Sequence, residues 1–207
     1  MPFVIEINTR DTETLEKPIQ VVNFFTKIIL DLKYDSLASS FQFEYLFDAD
    51  NQDHTEIAGV SHYHEAIISY QYPDTGIKQK ILTGFVLSQN FVDSPIPEIL
   101  PIGGYSKPGV LEDCDVPDFI PLEFNGRKLS DIIREICKAY NLKFIVKSNA
   151  ANTSLVDRDS TKMVETEVPK AVSKTSENAA SYLKKLCLQK NVILTHNEDG
   201  AVVVKRA

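Results

Sequence analysis

The residue types that could do chemistry in this chain are few and scattered. His62 and His64 form an H-x-H pair. At the start of a strand both imidazoles would leave one face, which begins a metal site, but a third and fourth ligand must come from elsewhere. Two ordinary strand residues are the commoner meaning of that pattern. Glu112, Asp113, Asp115 and Asp118 gather carboxylates in one short segment. Such groups can bind Mg²⁺ or Ca²⁺ or divide acid and base roles. Here the spacing matches no calcium loop, and no nucleophile or base lies nearby in sequence, so turn capping and solvation are the expected roles. Ser106 lacks the flanking glycines of a nucleophile elbow. Gly103-Gly104 opens neither G-x-G-x-x-G nor G-x-x-x-x-G-K-[ST]. His54 and His196 stand alone. Lys184, Lys185 and Lys190 read as a solvated helix face in preference to a nucleic-acid patch. The chain has no Trp, which weakens a carbohydrate-stacking role. No catalytic residue, metal ligand or cofactor is expected, and the chain reads as a non-enzyme.

The elements around these residues come from composition and period. With 207 residues and 43% hydrophobic content, the chain can build one large domain or two small ones. No run approaches the ~18–20 apolar residues that cross a bilayer, so no membrane insertion is expected. The start, MPFVIEINTRDTETLEK, lacks the basic and apolar regions of a secretory leader. Cys114, Cys137 and Cys187 are too few and too scattered for a disulfide framework or a zinc site, so a reducing, cytosolic setting is the default. Net charge is −11 over 1–115 and +4 over 116–207, together −7. That split suggests two domains and argues against the first half gripping a phosphate backbone.

The first half reads as strands. Phe41, Phe43, Tyr45 and Phe47 alternate with Gln42, Glu44 and Leu46, the period of a half-buried strand. Residues 4–7, 19–25 and 28–32 are rich in β-branched and aromatic types. Residues 63–72 and 77–86 flank Pro73-Asp74-Thr75-Gly76, a hairpin turn. Asp48 to Asp53 reads as a solvated loop. An antiparallel β-barrel or sandwich over 1–115 is the expected architecture. Pro95, Pro97 and Pro101 predict an edge or a connector over 94–115 and exclude a central strand.

The second half, 116–207, reads as a small α/β domain, making the chain α+β overall. Leu129, Ile132, Ile133, Ile136, Cys137 and Tyr140 form one helix face. Asn141, tolerant of the left-handed conformation, ends it, and 142–146 reads as a strand. The arrangement recurs: Ala179, Tyr182, Leu183, Leu186 and Cys187 make a stripe, Asn191 terminates it, and 192–195 follows as a strand. Ser176 is the expected N-cap of that second helix. The doubled units span about 120–146 and 163–196, with leading strands at 120–124 and 163–168. Asn197 to Gly200 turns into a terminal hairpin ending at 205. Lys147 to Lys162 reads as an exposed loop.

At 104–114 the sequence GYSKPGVLEDC resembles the G-R-S-K-T-G-D-L-V-D-C-S stretch of contractile-tail phage baseplate hub proteins, the Mu-like tail protein P family related to late control protein D. Gly104, Ser106, Lys107, Gly109, Leu111, Asp113 and Cys114 match. The Phe124-Asn125-Gly126-Arg127-Lys128-Leu129 opening, the second helix, the closing Asp199-Gly200 hairpin and Thr83-Gly84-Phe85-Val86 follow in the family's order, with Gly126 and Leu129 as further motif positions. Tyr105, Pro108 and Val110 replace the family's Arg, Thr and Asp. Lys128 stands where a capping Thr or Ser is usual, which moves the expected cap to Asn125. The resemblance covers the N-terminal half of such proteins, which continue into a second β-barrel domain.

The resemblance implies a structural part of a phage or prophage virion tail, assembled in the bacterial cytoplasm. It implies self-association as a trimer or pseudo-hexameric ring that joins the tail tube to the central spike. DNA passes such a ring without sequence-specific binding, and an acidic lumen would let it slide. The alternative is a LysM-like module that binds glycan or cell wall.

Overall fold

A computed structural model describes residues 2–8, 20–22, 25–48, 50–57, 64–89, 99–121, 123–146, 162–174 and 176–206. The chain divides into two compact units, Met1–Leu32 with Ser39–Ser106, and Lys33–Ala38 with Lys107–Ala207. The class is α+β, as expected: a large antiparallel sheet in the first unit, a small sheet with helices in the second. The division differs from the sequence reading in two places. Residues 107–115 pack with the second unit, and so does 33–38, a short segment that interrupts the first.

The first unit contains β1 (Phe3–Asn8), β2 (Gln20–Val22), β3 (Phe25–Asp31), β4 (Ser40–Leu46), β5 (Glu65–Gln71), β6 (Lys78–Gln89) and β7 (Ile99–Ser106). They form one sheet in the order β2-β1-β5-β6-β7-β4-β3, every pair antiparallel. Alternation does the sorting: Phe41, Phe43 and Tyr45 of β4 are buried while Gln42 and Leu46 face out. They join Ile5, Ile7, Ile68, Leu82, Leu100 and Ile102 in one apolar core. The sheet is not closed. Its edges β2 and β3 are nevertheless consecutive, with two residues between Val22 and Phe25. Three Cα steps reach at most about 11 Å, so the two edges meet at one corner and the sheet is strongly curled.

Two expectations for this unit are corrected. Pro101 lies in β7, a central strand between β6 and β4. Among the described residues, Pro101 is paired on the β4 side, opposite Glu44, and the β6 ladder is described as far as Ile102. The loop at 48–53 runs into a short helix, α1 (Gln52–Ile57). Asp48 organises its entry: its Oδ1 accepts from Asp50 N–H (3.0 Å), and its own N–H donates to His54 Nδ1 (3.0 Å). The His54 ring packs edge-on against Tyr45 at 4.8 Å, a structural role that the sequence did not signal.

In the second unit, a 3₁₀ turn (Lys107–Gly109) leads into α2 (Val110–Asp113), followed by α3 (Leu129–Ala139), β8 (Phe144–Ile145), α4 (Ala179–Leu188), β9 (Val192–His196) and β10 (Val202–Arg206). The doubled helix–strand unit is present. Asn141 and Asn191 both adopt left-handed φ (+54° and +53°) after their helices. The strands they lead into, β8 and β9, flank β10, parallel and antiparallel to it. The predicted stripes of α3 and α4 are buried together, including Cys137 and Cys187.

The leading strands are corrected. Residues 162–164 form a helical turn, and 123–128 meet 167–172 through isolated bridges (Glu123↔Val172 and Lys128↔Glu167) and separate hydrogen bonds such as Phe124 N–H to Ala171 O (2.8 Å), not through a continuous strand ladder. Pro121 and Pro169 lack the N–H groups that a continuous ladder needs. Both predicted caps also move. Asn125 Oδ1 accepts from Ala171 N–H (2.8 Å), and Lys128 at the α3 N-cap makes no side-chain capping bond, its Nζ instead pairing with Glu165 (3.3 Å). Asn178, two residues after Ser176, caps α4 through Ser181 N–H (3.0 Å), and Ser176 itself turns to φ +59°.

Candidate functional site

The segment that carries the family wording, 104–114, is built residue by residue into the two units. In the first, Phe41 lies over two glycines of neighbouring strands. A Cβ at Gly104 would stand 2.0 Å from Phe85 O and 2.6 Å from the Phe41 ring; one at Gly84 would stand 2.2 Å from Tyr105 O and 3.0 Å from the same ring. Both glycines are therefore required by packing. Ser106 is buried, its N–H donating to Ser39 O (2.8 Å) and its Oγ accepting from Ser39 N–H (3.1 Å). The hydroxyl thus fixes backbone and is no nucleophile in waiting.

In the second unit, the Lys107 stem crosses Gly200: a Cβ there would meet its Cβ, Cγ and Cδ at 3.0–3.1 Å. Gly200 also needs its φ of +72° for the β9–β10 turn. Gly109 is buried at the α2 N-cap with an ordinary φ of −56°. Leu111 is fully buried in the core, and Asp113 ends α2. Cys114 is half-buried in extended backbone, and its carbonyl accepts from Ala179 N–H at the start of α4 (2.9 Å). Gly126 turns at φ +73° and Leu129 opens α3 from within the core.

Glu112 is the residue whose part the sequence did not reveal. Its Oε1 accepts from Ser36 Oγ (2.8 Å), Leu37 N–H (3.3 Å) and Lys184 Nζ (3.0 Å). Its backbone carbonyl accepts from the Asn178 side chain. One carboxylate thus ties segment 33–38, α2 and α4 together. Partial burial pushes its pKa up, but the Lys184 and Ser36 hydrogen bonds, the Lys184 charge and the Leu37 N–H outweigh it and hold the group below the ordinary carboxylate value. The segment is secured again where Thr195 Oγ1 donates to Ser36 O (3.2 Å), where Lys205 Nζ lies 4.4 Å over the Tyr34 ring, and where Leu37 enters the core. The pair of contacts that would have exposed this clasp spans more than 70 residues of sequence, so no local pattern carries it.

The other acidic residues do not converge. Asp115 forms an isolated bridge with Asn178, and its carbonyl accepts from the Tyr140 hydroxyl. Asp118 sits in the turn closed by Ile120 N–H to Pro117 O (2.9 Å). His62 lies outside the described residues. His64 is buried, and its carbonyl accepts from Val86 N–H (2.8 Å). Among the described residues no group of three or more His, Cys, Asp and Glu could hold a metal ion, and no helix is long and apolar enough to cross a membrane. Burial pushes the Cys137 and Cys187 thiols up to about 12. Lys185 pairs with Glu177 (2.9 Å) and Lys190 donates to Glu167 O (2.7 Å), so both stabilise neighbouring backbone or carboxylate.

No protein-family model matches the chain, and no curated protein matches its sequence. Solved structures do match its fold. The 43 kDa tail protein of prophage MuSo2 from Shewanella oneidensis is 20% identical, covers 99% of this chain with 54% of its own, and superposes with a TM-score of 0.68. A tail protein from Neisseria meningitidis is 18% identical over 99% of this chain and 50% of its own, with a TM-score of 0.62. A Francisella PdpA–VgrG complex contains a match at 12% identity over 98% of this chain and 30% of that one, TM-score 0.51. The chain spans about half the length of the first two. Its fold, across nearly all of its residues, is that of prophage tail proteins.

Proposed function

We propose that the chain is a structural component of a phage or prophage tail, and specifically of the contractile-tail baseplate hub that joins the tail tube to the central spike. The observation that carries this reading is the fold match over almost the whole chain to prophage tail proteins. The residues of the 104–114 wording agree with it, since the structure uses Gly104, Ser106, Lys107 and Leu111 for packing. The match within a PdpA–VgrG complex supports partners of the tail-spike kind, and self-association into a trimer or pseudo-hexameric ring completes the proposal. The acidity of the first half suits a channel that DNA must pass without sticking. On the strands, Glu6 pairs with Lys78 (2.9 Å) and Glu44 with Lys27 (3.5 Å), which offsets part of that acidity.

The test is placement in a particle. An epitope-tagged chain expressed in its own bacterium during prophage induction should purify with tail particles and label one end of the tube by electron microscopy. Deletion should leave particles without joined tube and spike. Complete tails that lack the chain would overturn the reading, and co-sedimentation of the purified chain with peptidoglycan would favour the glycan-binding alternative.

A further inference from the structure

We propose that Asn125-Gly126 is a site of self-modification that the fold keeps latent. Asn125 deamidates to aspartate or isoaspartate once 123–128 parts from 167–172, and the isoaspartate form keeps the two segments from closing again. This holds whether or not the chain is a tail component. Asn125 is the one asparagine in the sequence that precedes a glycine. Both residues are exposed, and a Cβ on Gly126 would meet nothing within 4 Å. Gly126 lies at φ +73° in a turn closed by Arg127 N–H to Phe124 O (3.1 Å). No side chain therefore shields its amide nitrogen, and asparagine is among the thermolabile residue types.

The reaction needs only water as a partner. The Gly126 nitrogen gives its proton to solvent hydroxide and attacks Asn125 Cγ. A bond forms between that nitrogen and Cγ, the Cγ–Nδ2 bond breaks, and ammonia leaves with a proton returned by water. Water then opens the five-membered imide. Opening at Cγ gives aspartate; opening at the backbone carbonyl gives isoaspartate, whose main chain runs through Cβ. Nothing is oxidised or reduced, and the sum is asparagine plus water giving the acid and ammonia.

The fold restrains both reacting groups. Gly126 N–H, whose proton has to leave, donates to Val168 O (2.9 Å), and Asn125 Oδ1 accepts from Ala171 N–H (2.8 Å). Attack breaks the first bond and must turn the amide that the second one fixes. Phe124 N–H to Ala171 O and Val168 N–H to Arg127 O (both 2.8 Å) hold the same two segments together. The end of α4 anchors 167–172 from its other side: Lys185 Nζ donates to Val172 O (3.3 Å), Gln189 Nε2 to Lys170 O (3.1 Å) and Lys190 Nζ to Glu167 O (2.7 Å). Reaction thus waits on a local opening. Aspartate at 125 keeps an acceptor for Ala171 N–H. Isoaspartate lengthens the backbone between Phe124 and Gly126, so their N–H groups cannot both return to Ala171 O and Val168 O, and the lead into α3 stays loose.

The test is to age the full chain in mildly alkaline buffer, with and without denaturing urea, and to follow each asparagine by peptide-mapping mass spectrometry. In urea Asn125 should be the first to convert, to both acids, and Gly126→Ala should slow it, because a methyl group then shields the nitrogen. In native buffer Asn125 should convert about 10-fold or more slowly than in urea, as a reaction confined to the locally opened chain does. Hydrogen exchange at the Gly126 amide should be slowed by a similar factor, since both processes require the bond to Val168 to open. After refolding, chains with isoaspartate at 125 should lose slow exchange at Phe124 and Val168, while the Asn125→Asp chain should keep it. Equal conversion in native buffer and in urea would overturn the latency. Urea-aged chains in which other asparagines convert before Asn125 would overturn the site, and isoaspartate chains that regain full protection would overturn its effect.

Discussion

The two units reach stability by different means. In the sheet unit, backbone ladders join every neighbouring strand and side chains such as Phe41 fill space over Gly84 and Gly104, while Ser106, Asp48 and His54 bind backbone where strands end. Among the described residues of the α/β unit, only β8, β9 and β10 form a sheet, and the chain between elements is held by individual side-chain or backbone bonds. Glu112, Asn125 and Asn178 each satisfy backbone groups that no ladder reaches. Where ladders satisfy the backbone, polar side chains are free to face water; where they do not, particular polar residues become structural. Carboxylates and amides in the second unit therefore resemble a chemical site in composition while serving as connectors.

Substitutions can break this comparison, and the largest effect should come from the shared helix core. Ile136→Asp buries an unpaired charge where nothing can compensate it and should remove more than about 4 kcal/mol, unfolding the second unit. Loss of helical circular dichroism in otherwise soluble protein is the expected reading, and an unchanged melting curve would contradict the packing of α3. Next comes Gly104→Ala. Its Cβ would strike the Phe85 carbonyl and the Phe41 ring, so about 3 kcal/mol should be lost in urea unfolding, whereas Gly103→Ala should cost no more than about 0.5 kcal/mol. Equal costs would dissolve the distinction between the two glycines.

The Glu112 clasp should matter less. Glu112→Ala leaves Leu37 N–H and the Ser36 hydroxyl without their acceptor and should cost about 1–3 kcal/mol, with Glu112→Gln nearer the lower end. The folded-state pKa values of Glu112 and Glu177 are both lowered. Their contribution is thus fully present above the ordinary carboxylate pKa of 4.5 and is lost as pH falls through the lower folded values. Glu112→Gln should flatten that acid limb of the stability profile; an unaltered limb would remove Glu112 from it. The smallest effect is expected at Tyr182, whose buried hydroxyl has no hydrogen-bond partner among the described residues and whose pKa rises to about 12, chiefly through burial and then the nearby Glu177 charge. Tyr182→Phe should be neutral or stabilise by up to about 1 kcal/mol in thermal melts, and clear destabilisation would reveal an unseen partner.

The sequence by itself determined whatever depends on period and on single-residue backbone preference. Phe41, Phe43 and Tyr45 declared the inner face of β4, Ile132 to Cys137 the inner face of α3, and Asn141 and Asn191 the ends of two helices, because each signal lies within one or two turns of chain. The wording at 104–114 marked a segment of consequence without saying why. Tertiary structure decided the rest. Pro101 entered a central strand opposite Glu44 of β4, and Asn125 left its helix to bind Ala171. Segment 33–38 joined the second unit because Leu37 found a core and Glu112 an N–H and a hydroxyl there. Each outcome depends on which distant group supplies an acceptor, a donor or a space, and those partners are brought together only when the chain has folded.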